Sequence, residues 1–163
     1  MRIAILADIH DNLWNLDKAL GQVRSIGAEA LIFLGDFCAP FSLAALIEGF
    51  PGPIYAVLGN NDGDVLLLAE AAARSGRVQL FRPWGKVELG GKTFALAHYP
   101  ELAQGLISGG EYEVVLFGHT HRYEETTVAG KLRLNPGEVM GRFGEASWVL
   151  YDTDKGSVQR YPI

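Results

Sequence analysis

Apolar runs at residues 3–7, 30–34, 53–58, 93–97 and 113–117 predict five buried strands, and each gives way to a short polar segment. Between the early runs the period changes. Leu13, Leu16, Leu20 and Val23 recur at helical spacing, with Asn12 or Asp11 placed to cap the start and Asp17 near the positive end of the helix dipole. The Leu- and Ala-rich stretch 64–74 reads as another helix. After about residue 78 the pattern turns to short strands: 84–89 and 92–97 joined by Gly90-Gly91 as a hairpin, then 131–134, 147–151 and 157–161. Strand alternating with helix, followed by a strand-rich half, predicts an α/β fold of two packed sheets with helices outside. No internal repeat, low-complexity segment or linker interrupts it.

With 163 residues the chain is long enough to bury a core and short for two domains, so a single domain over 1–163 is expected. A composition of 48% hydrophobic and 20% charged residues belongs to a globular protein. Fourteen Lys and Arg stand against nineteen Asp and Glu, a net charge of −5 without a basic cluster, which argues against a nucleic-acid polymer as partner. A small anion held by metal is compatible with that charge. The lone cysteine, Cys38, has no partner for an internal disulfide, which points to a reducing cytoplasmic compartment. Asp8 and His10 break the first apolar run before it could serve as a signal peptide or membrane span, so no membrane association is expected.

The polar segments after the runs hold the chemistry. They are Asp8-Ile9-His10, Gly35-Asp36, Gly59-Asn60-Asn61-Asp62, His98 and Gly118-His119-Thr120-His121. Imidazoles on alternate residues after a buried strand can face one pocket, as metal ligands do. All four histidines of the chain follow apolar runs, and none lies on a solvated face. One such histidine is usually a hydrogen-bonded core or loop residue, and Asp36 or Asn60 alone would read as a turn former. Together, two aspartates, one asparagine and four histidines make a mixed oxygen and nitrogen site too rich for one ion. Two ions are the better count.

In order and spacing these segments resemble the calcineurin-like metallophosphoesterases over about residues 3–138. Ala7-Asp8-Ile9-His10-Asp11-Asn12-Leu13 is similar to the family's first block, and the other four segments to its later ones. Asn135-Pro136-Gly137 looks like the closing turn of the small bacterial and archaeal phosphodiesterase branch. The resemblance implies a four-layer α/β/β/α fold, two mixed sheets packed as a β-sandwich and flanked by helices. It implies that Asp8, His10 and His121 hold one metal, Asn60, His98 and His119 the other, and that Asp36 bridges them. Two divalent ions against two aspartates leave a surplus of about two positive charges, which suits an anionic substrate. The implied reaction is hydrolysis of a small phosphoester by a hydroxide held on two ions roughly 3.5–4 Å apart. Mn²⁺ suits the mixed ligands best, and Fe²⁺, Ni²⁺, Co²⁺ or Zn²⁺ are admissible.

Two departures bear on the substrate. Many members of the family have histidine where this chain has Asn61, and an orienting aspartate where it has Ala39. Asparagine donates a hydrogen bond but is no general acid, and a positioned acid is typically worth about 10² to 10⁴ in rate. Esters with poor leaving groups should therefore react slowly. The small phosphodiesterase branch also replaces this histidine, which favours diesters, with a phosphomonoesterase or nucleotide phosphatase of the same fold as the alternative. Asn61 could equally be only a turn former.

Asp11 and Tyr99 replace residues that are commonly glycine in relatives. Tyr99 is a candidate to narrow the pocket or stack on a base or aryl group, with a plain surface aromatic as the alternative. Asn12 and Arg122 are candidates to contact the phosphoester oxygens, against ordinary roles as a helix cap and a solvated cation. Cys38 is not needed as a nucleophile. A reading of another class is a protein-binding scaffold, as in the retromer subunit that resembles these enzymes. That subunit has an incomplete ligand set, whereas His10 and His98 are present here. Homo-oligomerisation is left open.

Overall fold

A computed structural model describes residues 1–163. The first half of the chain alternates β1 (Arg2–Leu6), α1 (Leu13–Ile26), β2 (Ala30–Phe33), α2 (Pro40–Gly49), β3 (Ile54–Val57), α3 (Val65–Ser75) and β4 (Val78–Phe81). The second half holds β5 (Trp84–Leu89), β6 (Lys92–Ala97), α4 (Pro100–Gly109), β7 (Val114–Leu116), β8 (Tyr123–Val128), β9 (Lys131–Pro136), β10 (Ser147–Asp152) and β11 (Ser157–Pro162). One sheet has the order β11-β10-β1-β2-β3-β4, and the other β5-β6-β7-β9-β8. Strands β1 to β4 run parallel, with β4 at one edge, as do β6, β7 and β9, while antiparallel strands close the other three edges.

Continuous apolar runs rather than alternating ones arise because the central strands bury both faces. Ile3, Ile5, Ala30 and Ile32 meet Phe94, Leu96, Val114 and Leu116 between the sheets. Ala4, Leu6, Leu31 and Phe33 point the other way, against Leu16, Leu20, Leu43, Leu46 and Leu68 of α1, α2 and α3. On the far side of the second sheet Ala95, Ala97, Val115 and Phe117 pack on Ala103 and Ile107 of α4. The layers are thus helices, sheet, sheet, helix, the expected α/β/β/α arrangement of mixed sheets. No helix is long and apolar enough to cross a membrane.

Local chemistry explains most boundaries. Asn12 caps α1 by accepting from the Asn15 amide, and Gly27 ends that helix with φ 71°. Asp64 caps α3. Gly90 and Gly91 both take positive φ, 54° and 74°, which matches the twist a two-residue hairpin turn requires. Asp17 lies beyond the first turn of α1, which contains no acidic residue, so the expected dipole contact is not made there. α4 interrupts the half that reads as all strand, and α2, β4 and β8 were not marked by the pattern either. Both helices begin with proline, a residue suited to the first helical position.

Trp148 anchors the outer side of the first sheet. It is fully buried, stacks on Tyr161 at 4.6 Å and donates from Nε1 to Gln22 Oε1 at 2.6 Å. Trp148→Ala should lower the unfolding free energy by about 3–5 kcal/mol, read from the urea midpoint. A loss below about 1 kcal/mol would show that this packing does not matter.

Candidate metal centre

The ends of the parallel strands in both sheets converge, and their loops are laced together beyond the sheets themselves. Asp8 N donates to Gly35 O at 3.0 Å, His10 N to Asp36 O at 3.1 Å, Gly118 N to His98 O at 3.1 Å and Met140 N to Asp8 O at 3.0 Å. The glycines that start these motifs are needed for approach. A Cβ on Gly59 would lie 2.2 Å from Asp36 Oδ1, and one on Gly35, where φ is +93°, would lie 2.6 Å from His98 Nδ1. Of nine non-glycine residues with left-handed φ, seven are in these loops: Asp8, His10, Asp11, Asp36, Cys38, His119 and His121. At about 1–3 kcal/mol each, such strain survives only where the surroundings enforce it, and it clusters at functional sites.

Asp8, His10, Asp36 and His121 bring one donor atom each within 4.8 Å of one another. His10 Nε2 lies 3.4 Å from Asp36 Oδ2 and 3.9 Å from Asp8 Oδ1. It is buried and has no hydrogen-bond partner. His121 Nε2 lies 3.8 Å from Asp8 Oδ1, while its Nδ1 donates to Glu138 Oε2 at 2.7 Å. That bond fixes the tautomer, so the Nε2 lone pair faces the carboxylates. No hydrogen bond satisfies His10 Nε2 among these carboxylates, and the donor set fits a divalent cation.

The second group shares Asp36. His98 Nδ1 donates to the Leu34 carbonyl at 2.7 Å, which turns Nε2 toward Asn60 Oδ1 at 3.0 Å and Asp36 Oδ2 at 3.5 Å. His119 Nδ1 lies 2.9 Å from the same Asn60 oxygen. Two imidazole nitrogens, an amide oxygen and a carboxylate facing one another are satisfied by a proton or by a metal ion.

The two aspartates are held in opposite states. Burial pushes the Asp8 carboxyl up to about 7, more than His98, His121 and the His119 amide pull it down. Burial acts on Asp36 too, but the nearby His98 ring and the hydrogen bonds from Asn61 outweigh it and keep that carboxyl well below the usual range. Asn61 donates its backbone amide to Asp36 Oδ1 and its side-chain amide to Oδ2, both at 2.8 Å. Burial and neighbouring carboxylates push the Cys38 thiol up to about 12, which disables it as a nucleophile.

Several residues do work the sequence did not announce. Glu138 is fully buried and, besides holding His121, accepts from the Phe143 and Gly144 amides at 2.6 and 2.8 Å. Phe143 stands edge-on to His121 with ring centres 5.2 Å apart. Asp62 accepts from the Gly59 and Cys38 amides, tying the loops after β2 and β3 together. Asp11, with φ 60°, accepts from Ala39 N and Ser42 Oγ at the start of α2. Buried Asn135 donates to the Gly118 carbonyl and to Thr120 Oγ1. Among the substrate-contact candidates, Tyr99 lies 5.0 Å from His119 and Arg122 is exposed beside His121. Asn12 accepts from Asn15 N and donates to the Met140 carbonyl, which makes it a helix cap and loop tie.

Residues 1–156 match the model of the calcineurin-like phosphoesterase superfamily domain. The chain is similar to the phosphodiesterase MJ0936 of Methanocaldococcus jannaschii, 32% identical over 158 residues that cover 95% of each protein. It is also similar to the phosphodiesterase YfcE of Escherichia coli, 26% identical over 175 residues that cover 97% of this chain and 91% of the other. Among solved structures, a novel archaeal phosphodiesterase superposes with a TM-score of 0.93 at 30% identity, covering 100% of both chains.

The Asp8 environment yields a test on protein freed of metal. A folded pKa of about 7 against an ordinary value of 3.8 means the folded chain holds the extra proton, so ionisation of Asp8 opposes folding increasingly as pH rises through that window. Asp8→Asn should therefore stabilise the stripped protein more at about pH 8 than at about pH 5, as measured by urea unfolding. An equal effect at both would show that Asp8 is not a desolvated acid.

Proposed function

The chain belongs to the calcineurin-like phosphoesterase superfamily, and we propose that it is a phosphodiesterase whose centre binds two divalent ions. The observation behind this reading is the buried His10 Nε2, which has no hydrogen-bond partner and faces Asp36 and Asp8. Asp8, His10 and His121 would hold one ion, Asn60, His98 and His119 the other, with Asp36 shared. Divalent ions there would supply the charge that draws in a phosphoester and the acidity that makes water a nucleophile near neutral pH.

The protein's own part is orientation. Leu34 O and Glu138 keep His98 and His121 in the tautomers whose Nε2 atoms face inward. Asn61 spends one N–H on Asp36 and has a second for a phosphoester oxygen, but no proton to give a leaving group. Arg122, exposed next to His121, is the cation we assign to a nonbridging oxygen. A missing acid matters least for diesters with good leaving groups, which supports diesters over monoesters. Mn²⁺ is the ion we favour, with Fe²⁺, Ni²⁺, Co²⁺ or Zn²⁺ able to replace it. Residues 1–163 act as one catalytic domain in this reading, in the cytoplasm, on a small substrate. A scaffold without catalysis fits less well, because the donors and the residues that orient them are all present.

The test is hydrolysis of bis-p-nitrophenyl phosphate and p-nitrophenyl phosphate by metal-stripped protein titrated with Mn²⁺. Turnover should need the metal and favour the diester, and Asp36→Asn or His98→Ala should lower it by about 10²-fold or more with the circular dichroism unchanged. Full activity in either variant would contradict the ligand assignment. Asn61→His should raise monoester relative to diester hydrolysis, and a constant ratio would remove Asn61 from the leaving-group side.

A further inference from the structure

We propose that this phosphodiesterase selects diesters with flat aromatic ester groups, bound against Phe143 on one side of the centre and Tyr99 on the other. The inference rests on the phosphodiesterase reading and adds the substrate class. Phe143 is 70% exposed and Tyr99 38% exposed. Single exposed aromatics are ordinary, but these two end a row of rings. Phe143 lies 5.2 Å from His121, which stacks on His10 at 4.9 Å. Across Asp36, His98 and His119 lie 5.1 Å apart, and Tyr99 lies 5.2 Å from the first and 5.0 Å from the second. Each half of the donor cluster thus ends in an exposed aromatic ring, and a diester has two organic groups.

Phe143 is also held in place. Glu138, fully buried, grips the Phe143 amide with one carboxylate oxygen at 2.6 Å and His121 Nδ1 with the other at 2.7 Å. The backbone that presents the ring is registered to the metal-site histidine by one residue. The Arg142 guanidinium lies over the Phe143 ring, 5.5 Å from its centre, a cation on one face of the platform. Every flat aromatic group has a face to stack on such rings, whereas a methyl ester has none.

Two substrates with one leaving group isolate this effect: phenyl p-nitrophenyl phosphate and methyl p-nitrophenyl phosphate, hydrolysed by the Mn²⁺-loaded protein. The phenyl ester should have the higher kcat/KM by about tenfold or more, chiefly through KM. Phe143→Ala and Tyr99→Ala should each shrink that ratio. Diphenyl phosphate, but not dimethyl phosphate, should shift the ring proton resonances of Phe143 or Tyr99 in NMR spectra of the protein loaded with diamagnetic Zn²⁺, a readout independent of turnover. Equal kcat/KM for the two esters, or a ratio unmoved in both variants, overturns the aromatic preference while the phosphodiesterase reading stands. Turnover of neither ester overturns both.

Discussion

Two buried carboxylates brought together by neighbouring parallel strands govern the rest of this structure. Asp8 and Asp36 are both fully buried, and the pairing of β1 with β2 continues past the strand ends into the bond from Asp8 N to Gly35 O. Like charges in a desolvated place do not coexist without compensation. Asp36 is kept ionised by two donors from Asn61 and by the nearby His98 ring, while Asp8 receives only the His119 amide and is pushed toward neutrality. Positive charge between the two carboxylates would resolve the conflict, and His10 and His121 turn Nε2 toward the same space.

The fold divides the work between its sheets. Asp8, His10, Asp36 and Asn60 follow strands of the six-stranded sheet, and His98, His119 and His121 follow strands of the five-stranded one. The centre sits at the seam, so packing of Ile3, Ile5 and Ile32 against Phe94, Leu96 and Leu116 sets the distance between the two halves of the donor set. Residues after β9 lock the seam: Val139 and Met140 donate to the Ala7 and Asp8 carbonyls, and Glu138 grips His121. Close packing resists small shifts, which is how strained loops at strand ends persist here.

The legible part of the fold was what burial on both faces writes into a chain. The five apolar runs, the Gly90-Gly91 hairpin and the Leu13 to Val23 helix have strong local periods, and the polar residues after the runs meet in one place. What stayed hidden depends on tertiary context. α2 is apolar almost throughout and shows no clear amphipathic stripe, and β8, Tyr-Glu-Glu-Thr-Thr-Val, is an edge strand of mostly polar residues. Glu138 looks like an ordinary polar residue after a turn; only the folded chain reveals its contact with His121, seventeen residues earlier. Its one signal was its place directly after Asn135-Pro136-Gly137. Phe143, in a segment of glycines and charges, had none. Asn12 could be read two ways, and the Met140 carbonyl that claims its amide is 128 residues away.

The most direct test of the centre is anomalous diffraction from crystals of the protein grown with Mn²⁺. The expected map has two peaks per chain on either side of Asp36, one among Asp8, His10 and His121 and the other among Asn60, His98 and His119. A single peak, or peaks away from these side chains, would contradict a centre built on the two buried carboxylates.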